Sequence, residues 1–510
     1  MPSRRARRPA SAELRRIPAP EPAAAAPGWL GPALAALAAV VVYRGALGYD
    51  FAQDDFAGLG RAAGILPRLH GPWRYLSGQA YFDLMRGVAG LHATAYHAVS
   101  LAVHAGCGAL LAWLLARVVS RPAATLGAVW FVTHPALFTA IYSVSGIGEL
   151  LAGLFALAAI GSSFAPRPRD LASPVAFGLS LLCKESTILL PAAAAFGFLA
   201  RPGARASRRT LALGGGLLAV VYAAWFVSAD VFRVRTGIAA NAAYALAGPL
   251  DIGRNLLTYL GWTANMFLPS VHGVGDAVDP NVFAWGAALA LLWLAGLAWP
   301  ALRARGWAGA GIAYLLLLVP VLGLRNHTYH YYLYMPLTAA ATGVAALADA
   351  LLARAGGRRG ATIAAAAALL FVANGALLVR KIETAPFVHP DMRADATVDR
   401  ARIMRNVRRS LESSPPRTGE RIVFWSPELA ASRHDPARAS IERYWEANLR
   451  AALMEGAAVR VLFPQVDSVR FVDEPGWQAS DRVAMYQRTG VLTLKPAAEV
   501  DSMLRQHPLP

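Results

Sequence analysis

Long apolar runs alternate with short arginine-containing segments along the first three quarters of the chain. Each long run approaches or reaches the roughly 20 residues that a helix needs to cross a bilayer. This pattern predicts long membrane spans at residues 29–48, 93–117, 122–141, 146–164, 210–228, 282–302, 307–324, 331–352 and 361–380.

Two shorter apolar runs, 171–183 and 186–200, meet at Lys184-Glu185 and bring the predicted number of crossings to eleven. The run at 256–268 fits either a re-entrant segment or a further span, and the count of eleven treats it as non-spanning. With this assignment the arginine clusters fall between spans on one side, as expected for loops that stay in the cytoplasm.

The same assignment divides the chain into regions. The N-terminus is predicted inside and the C-terminus outside. The regions are a disordered basic tail at 1–28, a transmembrane domain at 29–381 with external loops at 49–92 and 229–281, and an external appendage at 382–510.

The appendage has the composition of a soluble segment, and its sequence predicts a compact α/β fold. Residues 421–425 (RIVFW) and 459–463 (VRVLF) are predicted strands, and 441–454 between them has helical periodicity. Residues 483–486 and 491–494 predict a closing hairpin. The expected fold is therefore a polytopic α-helical membrane protein with a small C-terminal α/β domain.

Composition supports a membrane protein, because 56% of the 510 residues are hydrophobic and only 16% are charged. The net charge of +18 arises from arginines in the tail and between spans, so no nucleic-acid partner is needed to explain it. Arginine strongly outnumbers lysine and alanine is abundant, which favours a GC-rich bacterial genome and a multi-pass location in the bacterial inner membrane. Cys107 and Cys183 have neither metal-site nor disulfide spacing.

Asp54 and Asp55 follow the first span, where the chain leaves the bilayer beside aromatic residues. Adjacent carboxylates at a membrane exit are costly unless they bind a cation, hold a substrate or move a proton. A solvated acidic loop that caps a helix is the simpler alternative. Lys184 and Glu185, which interrupt two short helices, are either a self-neutralising interfacial pair or a lysine that faces a ligand phosphate with the glutamate orienting it.

The remaining polar groups in or near apolar runs are individually ambiguous. A lone histidine is more often structural than catalytic, and tyrosines at a membrane edge commonly form an interfacial belt. The candidates are His134, Glu149, Arg325 and a cluster of His327, His330, Tyr331 and Tyr334. A shared external site is favoured because one set of residues is predicted on the outer side: Asp54, Asp55, His134, Glu149, Lys184, Glu185, Arg325 and His327. The histidines have no partners at metal-ligand spacing, so no metal site is predicted, although a divalent ion is left open.

Several stretches together resemble a known family. They are the acidic pair, 96–104 (YHAVSLAVH), 131–135 (FVTHP) leading to Glu149, 181–186 (LLCKES) and 331–336 (YYLYMP). As an ordered set over about 50–340, they are similar to the GT-C superfamily of membrane glycosyltransferases, and within it to bacterial relatives of the transmembrane-and-TPR and protein O-mannosyltransferase group. The chain departs from that group at Tyr329-His330-Tyr331, where the family has Glu-Arg-Tyr, and no TPR array follows the membrane domain.

The resemblance implies inverting transfer of a sugar from a polyprenyl-phosphate donor, with an aspartate of the acidic pair as general base. Lys184 with Arg325, or with Arg233 and Arg235, would then bind the donor phosphate. The acceptor is left open between a protein hydroxyl, a lipid and a glycan, and no organic cofactor is expected. The alternatives are a lipid or solute transporter or flippase, whose broken helices would line a path, and an inert scaffold for envelope assembly.

Overall fold

The computed structural model describes residues 27–162, 171–199, 209–228, 245–264, 280–325, 327–387, 392–432, 436–487 and 490–507. Helices dominate up to residue 413, and a small sheet follows. The helices of the first half are α1 (Leu30–Tyr43), α2 (Asp55–Ala62), α3 (Tyr81–Ala89), α4 (Ala93–Leu115), α5 (Arg121–Val132), α6 (Phe138–Tyr142), α7 (Ile147–Ser162), α8 (Ala172–Cys183), α9 (Leu190–Ala195) and α10 (Gly216–Ser228).

The second half continues with helices and then changes to an α/β unit. Its helices are α11 (Pro249–Ala264), α12 (Pro280–Ala298), α13 (Pro300–Arg303), α14 (Trp307–Leu322), α15 (Tyr334–Ala355), α16 (Gly357–Thr384), α17 (Ala396–Ser413), α18 (Pro427–Ala431), α19 (Pro436–Ala452), α20 (Ala457–Leu462) and α21 (Ala497–Gln506). Its strands are β1 (Arg421–Trp425), β2 (Ser468–Val472), β3 (Arg482–Tyr486) and β4 (Leu492–Pro496).

Within the described ranges, seven helices are long and apolar enough to cross a membrane, and α5 with α6 adds an eighth if this pair, bent by 47°, is one span. The membrane character expected from the hydropathy pattern is therefore confirmed in its coarse form. Helices α8 and α14 are apolar but shorter than a full crossing. The count of eleven crossings stays a prediction.

Close packing of the helical domain depends on small residues. A Cβ atom at Gly127 of α5 would approach the Ala341 carbonyl of α15 to 2.7 Å, and one at Gly153 of α7 would meet the Tyr334 ring at 2.6 Å. Small residues let helix backbones approach closely where lipid removes the hydrophobic driving force between helices. Helix α5 consequently lies in the interior, in contact with α1, α4, α15 and α16.

One end of the helical domain, the arginine-rich end, is defined by contacts of Ser120, Arg305 and Arg354, which lie in three segments that the sequence assigned to one side. Arg305 Nε donates to Asp349 Oδ2 at 2.6 Å, and the backbone N–H of Ser120 donates to Asp349 Oδ1 at 3.0 Å. Arg354 lies over the Trp299 ring. Helix α15 begins at Tyr334 and has 22 residues, so its other end is roughly 30 Å away. We call that opposite end the site end.

The C-terminal unit, residues 396–507, is a four-stranded sheet with order β2-β1-β3-β4. Strand β1 is parallel to β2 and β3, and β3 pairs antiparallel with β4, which confirms the predicted hairpin. Successive residues of β1 point to opposite faces: Phe424 packs with α17 and α19, whereas Trp425 packs with α21.

The predicted strand at 459–463 is wrong, because this segment forms helix α20 and the second strand lies at 468–472. Val459 and Val461 are both buried while Arg460 between them is exposed. That alternation is typical of a strand, but here it arises because α20 is covered on two sides, by α2 and by β2. Packing against a helix about 400 residues earlier thus overrides β propensity.

Candidate functional site

Lys184 forms a buried ion pair at the site end. Its backbone is extended (φ −163°, ψ 140°) and separates α8 from a 3₁₀ turn at Glu185–Thr187. Lys184 Nζ lies 2.7 Å from Glu149 Oε1 of α7, and Ser186 Oγ donates to Glu149 Oε2 at 3.0 Å. The side chains of Lys184 and Glu149 are 12% and 2% exposed, so the ion pair is largely shielded from solvent.

Tyr329, Tyr331 and Tyr332 form a tyrosine cluster, and two of its rings cover this lysine. Lys184 Nζ lies 4.9 Å from the Tyr331 ring centre and 5.4 Å from that of Tyr332. The Tyr329 ring is 5.3 Å from Tyr331 and stacked on it. Aromatic faces attract a cation, so the cluster and Glu149 together hold the ammonium group in place.

A second ion pair lies beside the first. Arg74 binds Glu185 with both arms of its guanidinium, and its Nε–Oε2 distance is 2.9 Å. Burial alone would raise the pKa of Glu185, but the Arg74 guanidinium outweighs burial and lowers the pKa to about 2. Arg74 has a left-handed backbone (φ 49°), unusual outside glycine, and lies over the Trp73 ring.

His327 shows that the two cations share one environment. Burial and, to a smaller extent, the charges of Lys184 and Arg74 lower the pKa of His327 to about 4. Its ring lies 4.5 Å from that of Tyr329. His327 is therefore neutral at pH 7. His330 lies further along, with its ring 3.9 Å from that of Trp262.

The two adjacent aspartates have different environments. Asp55 is 2% exposed, and its carboxylate accepts three hydrogen bonds, from Ala52 N–H (3.0 Å), Ser143 Oγ (3.1 Å) and Ser145 N–H (2.7 Å). Burial raises the pKa of Asp55 to about 6 despite these donors. Asp55 thus ties the start of α2 to the segment that precedes α7.

Asp54, in contrast, is exposed. It follows Gln53, whose backbone is also left-handed (φ 52°). The pKa of Tyr329 is raised mainly by burial, and the nearby charges of Arg400 and Asp54 lower and raise it respectively. Asp54 therefore lies close enough to the tyrosine cluster to act on it electrostatically.

The 3₁₀ turn at Val144–Gly146 and the start of helix α7 connect Asp55 with Lys184. Residues 144–162 form one continuous apolar span, and Ser145, which binds Asp55, lies four residues before Glu149, which binds Lys184. Four residues of helix correspond to roughly 6 Å along the axis. The structure thus has an exposed carboxylate, Asp54, and a shielded cation, Lys184, at the same end of the helical domain.

Two of the predicted supporting residues are occupied in packing. His134 caps a 3₁₀ turn, because its Nδ1 accepts from Ala136 N–H, and its Nε2 consequently donates to the Thr263 carbonyl at 3.2 Å. Tyr334 is fully buried, and its hydroxyl lies 3.0 Å from His104 Nδ1. Both therefore have contacts that favour the structural alternative.

Of the three predicted phosphate-binding arginines, Arg325 alone lies in the described ranges, and it does not join the cluster. Arg325 is 60% exposed and lies 3.4 Å from Asp251, and no contact brings it to Lys184. Arg233 and Arg235 lie outside the described residues. The second cation beside Lys184 is instead Arg74, which sequence reasoning did not single out. Its only local signal is its position after Trp73 in the first external loop.

The arrangement can hold an anion near Lys184 and can accept a proton at Asp54. Within the part of the chain that the structure describes, no group of three or more His, Cys, Asp or Glu side chains is placed to hold a metal ion. No protein-family model matches this chain, and no curated protein is significantly similar to it. Fold and site together define the class as a helical membrane protein with a polar site at one end of the bundle.

Proposed function

We propose that this protein is an inverting membrane glycosyltransferase that moves a sugar from a polyprenyl-phosphate donor to an acceptor hydroxyl on the external side of the bacterial inner membrane. The observation that carries the proposal is that an exposed aspartate, Asp54, and a shielded lysine, Lys184, lie at the same end of the bundle.

Asp54 is the general base in this proposal. An acceptor hydroxyl needs a carboxylate within hydrogen-bond reach to take its proton as the new bond forms. Asp54 is exposed, whereas all the contacts of Asp55 serve to hold the loop. We therefore assign proton transfer to Asp54 and positioning of the loop to Asp55.

Lys184 stabilises the leaving group. As the acceptor oxygen bonds to the anomeric carbon, the bond from that carbon to the phosphate oxygen breaks and its electron pair stays on the phosphate. A lysine ammonium has three N–H donors, and Glu149 takes one, so donors remain for a phosphate oxygen. The attack from the side opposite the phosphate inverts the configuration.

The location of the site suits a lipid-linked donor. The broken segment at Lys184 lies between helices α8 and α9 and packs against the apolar helices α7 and α14. A polyprenyl tail can then remain among the helices while its phosphate reaches Lys184. The arginine-rich end is assigned to the cytoplasm, which puts the site end outside.

The test is replacement of the chromosomal copy with Asp54→Asn. We expect loss of one envelope glycan or glycoprotein modification, seen by mass spectrometry, and retention of the protein in the membrane. Asp251→Asn is the matched control, since it removes a carboxylate at the same end whose partners are the exposed Arg325 and the Gly248 backbone N–H. Wild-type glycans in the Asp54→Asn strain would contradict the assignment.

Purified protein tests the reaction directly. Reconstituted wild type should release polyprenyl phosphate from a polyprenyl-phosphate hexose in the presence of an envelope extract, and the Asp54→Asn variant should not. A transporter would instead move the labelled donor across vesicles without consuming it, and a scaffold would be indifferent to the substitution.

A further inference from the structure

The C-terminal unit is fastened to the loop that carries the acidic pair. Three arginines of helix α17 contact residues 48–53: Arg405 binds the Gly48 carbonyl and lies 3.5 Å from Asp50, Arg408 lies 3.7 Å from Asp50, and Arg400 binds the Gln53 side chain. Helix α20 of the same unit packs on α2, which begins at Asp55.

Gln53, the residue before Asp54, is held from two directions by this unit. Its backbone N–H donates to the Ala452 carbonyl at 2.9 Å, and its side-chain oxygen accepts from Arg400 Nη1. A left-handed backbone at a residue other than glycine costs about 1–3 kcal/mol and persists only where its surroundings enforce it. Both contacts that enforce it come from the C-terminal unit.

The side chain of Arg400 is itself held by a chain of hydrogen bonds within the C-terminal unit. Its Nε donates to Asn448 Oδ1 at 2.7 Å, and Asn448 Nδ2 donates to Asp399 Oδ2 at 2.5 Å. Asp399 is 1% exposed and also accepts from the backbone N–H of Arg393. The guanidinium therefore has one orientation before any substrate arrives, which is how a supporting residue fixes a reactive one.

We propose that Arg400 is a positioning residue of the active site, and that the C-terminal unit is a permanent part of this site and not a separate module for acceptor choice. Arg400 fixes the left-handed turn at Gln53, and this turn directs Asp54 toward the tyrosine cluster. The inference rests on the proposed function, because it assigns Arg400 to the general base of that reaction.

The contact between the C-terminal unit and the loop at 48–53 is tested without any substrate. In a Gln53→Cys/Ala452→Cys chain, the hydrogen-bonded backbones bring the two positions within the range for a disulfide. We expect the cross-link to form in native membranes, detected as a linked peptide by mass spectrometry. The natural cysteines, Cys107 and Cys183, are buried and do not compete. Absence of the cross-link under oxidising conditions would overturn the inference whatever the protein's function.

Kinetics test the positioning role. Because a misplacement of about 1 Å can lower a rate about 100-fold, Arg400→Ala should lower kcat by that order and change KM for the donor less than about two-fold. Arg400→Lys keeps the charge but not the planar fork, so it should recover only part of the rate. Arg405→Ala is the matched control, since it weakens docking at Gly48 and Asp50 without touching Gln53.

The outcomes separate the two proposals. A normal kcat in Arg400→Ala, with transfer intact in wild type, would overturn the positioning role and leave the proposed function standing. An equal loss of kcat in Arg405→Ala would also overturn it, because docking in general would then be responsible. Cross-linking of the Gln53→Cys/Ala452→Cys chain, together with a wild type that transfers no sugar, would overturn the proposed function and, with it, the role of Arg400.

Discussion

Replacing Lys184 with methionine separates what the Lys184–Glu149 pair contributes to stability from what it contributes to the reaction. Methionine retains most of the side-chain length and removes the charge. Glu149, with a side chain 2% exposed, would then be a buried carboxylate with Ser186 Oγ as its donor. Removing one partner of a buried ion pair typically costs about 3–5 kcal/mol.

The structure favours the lower end of that range. Ser186 still donates to the carboxylate, and Lys184 is 12% exposed, so the desolvation that the pair offsets is incomplete. We expect Lys184→Met to lower the free energy of unfolding by about 3 kcal/mol. Adding Glu149→Gln removes the stranded charge while keeping an acceptor for Ser186, so the double variant should recover most of this loss.

Denaturant unfolding of the purified protein in detergent measures the stability change, and release of polyprenyl phosphate measures transfer. The double variant should be nearly as stable as wild type and still inactive, because the donor phosphate of the proposed reaction has lost its cation. A single variant as stable as wild type would refute the buried-pair reasoning. A double variant with normal transfer would refute the role of Lys184 in catalysis.

Three further predictions follow from the other contacts. Because burial raises the pKa of Asp55 to about 6, the contribution of Asp55 to the free energy of unfolding should fall by roughly 2 kcal/mol as the pH rises from about 4 to 7. This fall should be absent in Asp55→Asn; denaturant titrations of both proteins at the two pH values test it, and parallel pH dependence would contradict it. Arg74→Lys keeps the charge beside Glu185 but loses the two-armed contact, so the free energy of unfolding should fall by about 1–2 kcal/mol. An unchanged denaturant midpoint would argue against the two-armed contact. Arg325→Ala should change the free energy of unfolding by less than about 1 kcal/mol and leave transfer intact, since the pair with Asp251 is solvent-exposed; lost transfer would return Arg325 to the site.

The amino-acid sequence by itself determined the helical membrane domain and the position of its polar break. Apolar runs of spanning length specify helices because no other element satisfies the backbone in lipid, and arginines between them mark one end of the bundle. Lys184-Glu185 was identifiable for the same reason, since two charges between apolar runs need partners. The sheet was predictable in part. The strand at 421–425 has a strongly apolar run, and the hairpin has two strands close together in the sequence.

Only the tertiary structure decided which residues are partners. The sequence could not separate Asp54 from Asp55, because the difference lies in Ser143 and Ser145, which are about 90 residues away. Arg74 and Arg400 were equally invisible, since each meets its partner, Glu185 or Gln53, across more than 100 residues. Hydropathy reports the average environment of a segment, whereas a charge acts through the groups within a few ångströms of it, and folding alone brings those groups together.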